Sequence, residues 1–552
     1  MIEEKNIVHM MYDEKGHPTW HSELSPEENT TRATCIVPPD HVMPVIFVPG
    51  IMGSNLKFKT PLEDFNGGKD IAWRPDNSKY TAFKFGNLKP EMRRKVLNPE
   101  NTELDDRGEI PNNILRVFNN LTPNGQSNWK AEFTRRGWGT VMLSSYGAIL
   151  CNLEMKLNGI YDSKYEVSAY WQNDIVAAGS KDAKKHPWGE ISGYEALNID
   201  DLKEKVGDKY WFPVHAAGYN WLRSNEEAGK ALAERIKTIK QHYVDLGMIC
   251  EKVIVVTHSM GGLATRAACH ADMGNIADKV AGVVHGEQPA IGAAAAYKRM
   301  HAGFEADFSF NPLTLLTNIF TARALGWSGK EVTTVLANAQ GGLELLPTKR
   351  YPKGWLRVIA DGRDTMNPLP ESDPYAEIYA ERDKWWRLIN PEWIEPQKGD
   401  PLASDELDDV WRNYIKRLNL VETFHDKLGD YYHDVTHAHY GADEDHKAWT
   451  NFVWNMDRFG QNEDSSIASF APPGDNALGR INTQSGTGIT AYKMSRPDLP
   501  GDGTVPECSG ADSASKAKFA AKMTGYDHQG SYINKAVQDV TAYSVARIAK
   551  DA

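Results

Sequence analysis

The sequence lacks the features that mark disulfide-rich, membrane-spanning or nucleic-acid-coating proteins. Its 552 residues include only five cysteines, which lie far apart and indicate neither a disulfide framework nor a zinc site. No apolar run approaches the roughly 18 residues of a membrane-spanning helix. Acidic residues outnumber basic ones by 74 to 62, and the net charge of −12 argues against a nucleic-acid partner. An ordinary globular protein remains.

A signal-peptide pattern is also missing from the first residues, M-I-E-E-K-N-I-V-H-M-M-Y-D-E-K, which are polar and acidic. We therefore expect the chain to be made in the cytoplasm without a cleaved signal peptide, with its thiols reduced. Hydrophobic residues make up 41% of the chain and charged residues 25%, a balance typical of globular domains. The length predicts one large domain with insertions, or two to three domains.

Short apolar runs alternate with helical patterns along much of the chain. Strands are predicted at 44–48, 211–217, 253–256 and 280–284, and helices at 140–157 and after Ser224, where Ser224 and Glu227 form a capping-box pattern. This alternation predicts an α/β fold with a mostly parallel sheet. Two long stretches, 55–205 and 301–475, interrupt it. We expect a core of 40–300 and 476–552, with a first insertion inside 55–205 and a cap or lid insertion at 301–475, both mainly helical.

Tryptophan is abundant, with 16 residues in the chain. Seven of them lie within 351–460, inside the predicted cap, namely Trp355, Trp385, Trp386, Trp393, Trp411, Trp449 and Trp454. Such residues suit a membrane interface, because the ring is apolar and the N–H can stay hydrated. For most of the seven we favour the alternative, which is packing inside the cap.

The clearest chemical motif is V-I-V-V-T-H-S-M-G-G-L-A at 253–264, where a strand runs directly into a helix. This is the setting of a nucleophile elbow, which lifts one serine above the sheet at a helix N-terminus. The motif predicts Ser259 as the nucleophile. One position departs from the usual pattern, because Thr257 stands where glycine is expected two residues before the serine. The alternative is a serine that only caps a helix.

A serine nucleophile needs a histidine base and an acid that orients it, and in this fold they follow in the order serine, acid, histidine. After His446 the chain has a single histidine, His528, before a predicted terminal helix at 532–549, so His528 is the predicted base. Asp502 in P-G-D-G-T-V-P, past a strand predicted at 489–494, is the favoured acid. Asp361, after a strand predicted at 356–360, is the alternative acid.

The oxyanion hole requires two backbone N–H groups aimed at one point. We predict that Met260, directly after the nucleophile, supplies one of them. Ile51, in the glycine-containing loop V-P-G-I-M-G-S after the first strand, supplies the other. No metal or cofactor is expected. The acidic segment 443–446 lacks calcium-loop spacing, and the sequence holds no phosphate-binding glycine loop with lysine.

Four segments together resemble the lecithin–cholesterol acyltransferase-like branch of the α/β-hydrolases: V-I-F-V-P-G-I-M-G-S-N-L, G-Y-N-W-L-R at 218–223, T-H-S-M-G-G and G-D-G-T-V-P. The resemblance covers the predicted core and implies an α/β-hydrolase with Ser259, Asp502 and His528 as the triad and Ile51 and Met260 at the oxyanion hole. Bacterial type VI secretion lipase effectors look similar in lacking a cleaved signal. That resemblance implies that this chain is exported by a contact-dependent system to a target-cell periplasm and has an immunity protein as partner.

The predicted function is a serine lipase or phospholipase that hydrolyses acyl esters of membrane phospholipids or glycerides. Two alternatives stay open. One is an acyltransferase or lipid-anchor deacylase of the same fold, since acceptor choice depends on pocket shape and water exclusion. The other is a non-catalytic binding module, for which Thr257 is the only support.

Overall fold

A computed structural model describes most of the chain. It covers residues 39–76, 84–120, 128–162, 164–180, 186–304, 326–397, 401–459, 474–485 and 488–552. It also covers two short strand pairs near the start, Glu4–Ile7 with Ala33–Ile36 and Met11–Tyr12 with Pro18–Thr19. Within these residues, no helix combines the length and the apolar character that crossing a membrane requires.

A central sheet of seven strands organises the fold. The strands are β1 (Val45–Val48), β2 (Glu190–Ser192), β3 (Val214–Ala216), β4 (Val253–His258), β5 (Val280–Gly286), β6 (Thr436–Gly441) and β7 (Phe519–Met523). Their order in the sheet is β3-β1-β4-β5-β6-β7-β2. All neighbours are parallel except β7 and β2. Every residue of β1, β3, β4 and β5 is buried, as expected for parallel strands covered on both faces, so the predicted α/β class is confirmed.

Helices surround this sheet. Six of them are α1 (Leu143–Leu157), α2 (Asn225–Asp245), α3 (Gly261–Cys269), α4 (Ala294–Ala302), α5 (Ser404–Leu428) and α6 (Lys535–Asp551). Shorter α-helices span Pro90–Val96, Asn112–Asn120, Trp129–Arg135, Gly329–Leu336, Gln340–Leu343 and Glu507–Ala514. Single 3₁₀ or π turns span Asn66–Gly68, Trp138–Thr140, Trp171–Val176, Ala177–Ser180, Asp201–Gly207, Ala277–Lys279, Tyr375–Tyr379, Pro391–Trp393 and Ser531–Ile533.

The start of α2 forms only half of the predicted capping box. The Ser224 hydroxyl accepts the N–H of Glu226 at 3.0 Å, which satisfies one free donor of the first turn. The carboxylate of Glu227, however, accepts from the guanidinium of Arg223 at 2.9 Å instead of reaching back to the backbone. An arginine immediately before the cap competes for the carboxylate.

A second sheet of six strands forms beside the first from the later part of the chain. Its order is Arg363–Asp364, Leu356–Ala360, Phe452–Phe459, Gly488–Met494, Arg480–Ser485 and Gly474–Asp475. A three-stranded sheet joins Ile71–Trp73, Leu56–Phe58 and Thr102–Leu104, and Asp443–Ala448 pairs with Leu499–Gly501. The later region is therefore a mixture of helices and strands.

Strand pairing crosses the boundaries that the sequence predicts. Strand β6 lies inside the 301–475 range expected to be a cap, yet it pairs with β5 and β7 in the central sheet. Strand Gly488–Met494 lies in the range expected to be core, yet it pairs with Phe452–Phe459 in the second sheet. The sequence of β6, Thr-His-Ala-His-Tyr-Gly, has no apolar run, which is why it was not predicted. The 301–475 range is thus part insertion and part core.

All seven tryptophans of the 351–460 range are buried. Several of them pack against other aromatic rings, as where the Trp385 ring stacks on Tyr492 with ring centroids 3.9 Å apart. Packing, the interpretation favoured for most of them, is confirmed. Because none of the seven presents its ring to solvent, these residues give no surface for a membrane.

Candidate active site

Ser259 occupies a strained turn between β4 and α3. Its φ of 54° lies in the left-handed region, which is uncommon for a residue with a side chain. The Ser259 N–H donates to the carbonyl of Gly286 at 2.9 Å, which ties the turn to the end of β5. A Cβ on Gly261 would lie 2.5 Å from the carbonyl oxygens of Val48 and Pro49, so only glycine lets α3 begin so close to β1. This is the predicted strand–turn–helix setting.

Thr257, the departure from the usual pattern, is buried with its hydroxyl paired. The side chain is fully buried, and its Oγ1 lies 3.1 Å from Nδ1 of His285 on the neighbouring strand β5. Its carbonyl accepts the hydroxyl of Tyr532 at 2.8 Å. The threonine is therefore built into the sheet and does not disturb the turn that follows.

Three side chains predicted from separate motifs meet in one hydrogen-bonded row. The Ser259 Oγ lies 2.9 Å from Nε2 of His528, and Nδ1 of His528 lies 2.7 Å from Oδ2 of Asp502. A carboxylate can only accept, so Nδ1 carries the proton. Nε2 is then free to accept the serine hydroxyl, which is the arrangement that activates a serine nucleophile.

Asp502 is fixed by its own loop and is buried. Its Oδ1 accepts the N–H groups of Thr504 at 3.0 Å and Val505 at 2.7 Å, and its carbonyl accepts the N–H of His528 at 2.7 Å. The strand predicted at 489–494 is present as Gly488–Met494, and a further short strand, Leu499–Gly501, comes directly before Asp502. The alternative acid, Asp361, is exposed at a turn of the second sheet, and it is Asp502 that contacts His528.

The electrostatics of this pair oppose the cost of burial. Burial works against ionising Asp502, but the adjacent His528 and the hydrogen bonds from the loop hold the pKa of the carboxyl below its usual value. Burial likewise works against protonating His528, but the Asp502 carboxylate raises the pKa of the imidazole above its usual value. The pair is thus arranged to stabilise an imidazolium formed during a reaction.

The two expected oxyanion donors lie in turns next to Ser259. Ile51 belongs to a turn closed by the Gly53 N–H and the Gly50 carbonyl at 3.1 Å, and Met260 immediately precedes α3. A Cβ on Gly50 would lie 2.9 Å from the Cβ of Ser259, so this turn touches the nucleophile. Within the described part of the chain, no acceptor binds the N–H of Ile51 or Met260. Both groups remain candidates for binding an anion.

A buried carboxyl beside the triad-like row, that of Glu287, was not predicted from the sequence. Glu287 follows β5 directly, and its carboxyl accepts the hydroxyl of Tyr526 and the N–H of Gly441, each at 2.8 Å. Nδ1 of His439 lies 3.2 Å from the same group. Burial and the nearby Asp502 raise the pKa of Glu287 well above its usual value. The only available clue was its place at the carboxyl end of a predicted strand.

Among the residues that the structure describes, no group of three or more histidine, cysteine, aspartate or glutamate side chains is arranged to hold an ion. In the segment 443–446, the Asp443 carboxylate instead accepts from His446 at 3.0 Å and from the N–H of Gly525 at 2.7 Å. These contacts tie the segment to the loop before His528.

Most of the chain is similar to one chain of a solved structure described as "The crystal structure of Tle4-Tli4 complex". The two share 28% identity, the match covers 92% of this chain and 98% of that chain, and the TM-score is 0.73. The fold is that of an α/β-hydrolase. The α/β-hydrolase match extends over the insertions as well as the core, since so much of both chains is covered. No family model matches the sequence, and no curated protein matches it.

Proposed function

We propose that this chain is a serine hydrolase that cleaves acyl esters of membrane lipids, with Ser259 as nucleophile, His528 as base and Asp502 as the acid that orients it. The observation that carries the proposal is the row of contacts, 2.9 Å from Ser259 to His528 and 2.7 Å from His528 to Asp502. The fit of Thr257 into the sheet supports the catalytic assignment over a non-catalytic module.

The geometry supports a two-step reaction. Ser259 Oγ attacks the ester carbonyl while His528 Nε2 takes the serine proton, and the N–H groups of Ile51 and Met260 bind the negative oxygen that forms. The C–O bond to the alcohol then breaks, and His528 gives its proton to the leaving oxygen. A water molecule attacks the acyl-serine by the same route and releases the fatty acid.

The likeness to the Tle4–Tli4 structure supports the second part of the proposal, that the chain is a lipase effector of the type VI secretion kind. That structure holds two proteins in complex, which supports a protein partner for this chain, here an immunity protein in the producing cell. We propose membrane phospholipids or glycerides as substrate and the periplasm of a target cell as the place of action. The lecithin–cholesterol acyltransferase-like relationship rests on the sequence motifs alone.

The test is lipid analysis after exposure of vesicles to the purified chain. Vesicles of phosphatidylethanolamine and phosphatidylglycerol should release free fatty acid with the unaltered protein, and Ser259→Ala should lower the rate by at least about 10³-fold because the nucleophile is lost. Mass spectrometry identifies the products. Added alcohol acceptor distinguishes hydrolysis from acyl transfer, because a transferase yields a new ester.

The matched control is Ser192→Ala, at an exposed serine of the edge strand β2, which should keep full activity. Equal fatty acid release by Ser259→Ala and the unaltered protein would refute the proposed nucleophile. Export of the unaltered protein and of Ser259→Ala to the periplasm of a bacterial host tests the effector part, because only the unaltered protein should harm the host. If a protein active on vesicles is harmless there, that part is wrong while the hydrolase assignment stands.

A further inference from the structure

A second histidine lies beside the proposed base, and the mechanism above does not use it. His258 is the last residue of β4 and directly precedes Ser259. Its ring is buried, and its centroid lies 4.8 Å from that of His528. Both of its nitrogens have partners, since Nδ1 lies 2.9 Å from the Tyr146 hydroxyl and Nε2 lies 3.0 Å from the backbone carbonyl of His528.

The direction of each hydrogen bond follows from these partners. A carbonyl oxygen can only accept, so Nε2 of His258 carries a proton and donates a hydrogen bond to the backbone carbonyl of His528. In a neutral imidazole Nδ1 is then an acceptor, and Tyr146 donates its hydroxyl proton to it. The Tyr146 oxygen in turn accepts the N–H of Gly50 at 3.2 Å. The four groups form a chain that is satisfied at every step.

Burial keeps this histidine neutral. Burial, assisted by the neighbouring His528, lowers the pKa of His258 to about 3. Burial also raises the pKa of Tyr146, which keeps its hydroxyl proton available to donate. The surroundings of the two adjacent imidazoles therefore shift their pKa values in opposite directions, since of the two only His528 has a carboxylate to support a positive charge.

The chain of bonds joins parts of the site that are distant in sequence. Gly50 and Tyr146 are 96 residues apart, Tyr146 and His258 are 112 apart, and His258 and His528 are 270 apart. One end is the turn that carries Ile51, and the other is the backbone of the base. Tyr146 comes from α1, inside the first predicted insertion, so that insertion contributes a side chain that contacts His258.

We propose that Tyr146 and His258 are positioning residues, which hold the oxyanion turn and the loop of the base in register with Ser259. The inference rests on the proposed role of Ser259 and deepens it. Neither residue is assigned a contact with substrate. They set the distances between Ser259, His528 and the turn that carries Ile51. Reaction rates depend steeply on such distances in the transition state.

The first test is Tyr146→Phe, which removes one hydroxyl and keeps the ring. Assayed on a soluble p-nitrophenyl ester, kcat should fall by about 10- to 100-fold while KM stays within about threefold, because transition-state geometry is lost but substrate contacts are not. The matched control is Tyr243→Phe. The Tyr243 hydroxyl lies 2.8 Å from Nε2 of His215 in an equally buried tyrosine–histidine pair, so its loss reports a purely structural cost. It should leave kcat unchanged.

The second test compares two variants of His258. His258→Gln keeps an amide that can donate to the carbonyl of His528, whereas His258→Leu keeps no donor, so the former should retain at least about fivefold more kcat. The double variant Tyr146→Phe with His258→Leu should lose no more than the worse single variant, because both act in one chain of bonds. Thermal unfolding accompanies each assay, and only folded variants are compared.

Two results would overturn the inference. The first is a folded Tyr146→Phe protein whose kcat matches that of Tyr243→Phe. The second is kcat losses that multiply in the double variant, which would mean that the two residues act separately. Failure of the proposed function looks different, since a protein that turns over p-nitrophenyl ester through Ser259 but leaves phospholipid vesicles intact refutes only the lipid substrate.

Discussion

Two buried carboxyl groups lie close together at the site, and their surroundings give them opposite charge states. Asp502 accepts two backbone N–H groups and faces the imidazole of His528, which favours the ionised form. Glu287 has no cation in contact, and burial followed by repulsion from Asp502 raises its pKa. Like charges so near each other cannot both form at low cost, so keeping Glu287 neutral helps keep Asp502 charged.

This division predicts how Glu287 tolerates substitution. Glu287→Gln keeps a neutral group of the same shape, so the free energy of unfolding should change by less than about 1 kcal/mol. Glu287→Leu leaves the N–H of Gly441 and the hydroxyl of Tyr526 without their acceptor in the interior, which should cost about 3 kcal/mol. Urea denaturation at pH 7 measures both. A large loss with glutamine would mean that Glu287 is ionised in the folded chain.

At the scale of the element, Thr257 shows how β4 and β5 accommodate a residue where glycine is usual. The hydroxyl bond to His285 joins the two strands side by side, in addition to their backbone pairing. The tight part of the elbow begins only after this residue, at the positive φ of Ser259 and the close approach of Gly261 to β1. Glycine is therefore needed after the nucleophile in this chain, and not before it.

Restoring the usual glycine should therefore be harmful. Thr257→Gly removes a buried hydroxyl bond and loosens the strand, and we expect a loss of about 2 kcal/mol in the free energy of unfolding with no gain in kcat. Thr257→Ser, which keeps the hydroxyl, should lose less than half as much. Urea denaturation and the ester assay together check this. A glycine variant as stable as the unaltered chain would show that the bond to His285 contributes nothing.

The sequence predicted the elements whose pattern is local. Strands β1 and β4 are apolar runs, and the meeting of Ser259, Asp502 and His528 was inferred from motif and order. Strand β6 was missed because it has no apolar run, and its His439 is paired with Glu287 only through a tertiary contact. The helix predicted at 140–157 includes Tyr146, but the hydroxyl bonds of this residue could not be predicted, since they depend on residues about 100 positions away. Long-range polar contacts leave no periodic trace in a sequence.

At the scale of the whole molecule, the central sheet is unusual for its buried histidines. Burial lowers the pKa of His258, His285, His437 and His439 to about 3 each, and that of His215 well below its usual value. All five lie on strands of this sheet. Between pH 6.5 and 3 the unfolded chain binds protons at these residues that the folded chain cannot bind.

The folded chain should therefore lose stability as pH falls below about 6.5. Each such histidine contributes roughly 1.4 kcal/mol per pH unit. Glu287 and Glu344, whose pKa values burial raises, act in the opposite direction above about pH 4.5. From these five histidines and two glutamates together, the expected net loss is roughly 4 kcal/mol per pH unit near pH 5. Urea midpoints at pH 7, 6 and 5 measure it.

A control for this pH dependence is His41→Gln, at a partly exposed histidine before β1, which should leave the slope unchanged. Midpoints that stay constant from pH 7 to pH 5 would contradict the expectation, because they would require these histidines to be protonated within the fold.

The spacing of the row along the chain also has a consequence for biosynthesis. His528 lies 269 residues after Ser259, and the two meet only when β6 and β7 have joined the sheet. A ribosome that has finished the elbow must translate all of those residues before the serine has a base to take its proton. Through that interval the nascent chain carries a complete elbow without its histidine, so the proposed hydrolase cannot act until translation passes residue 528.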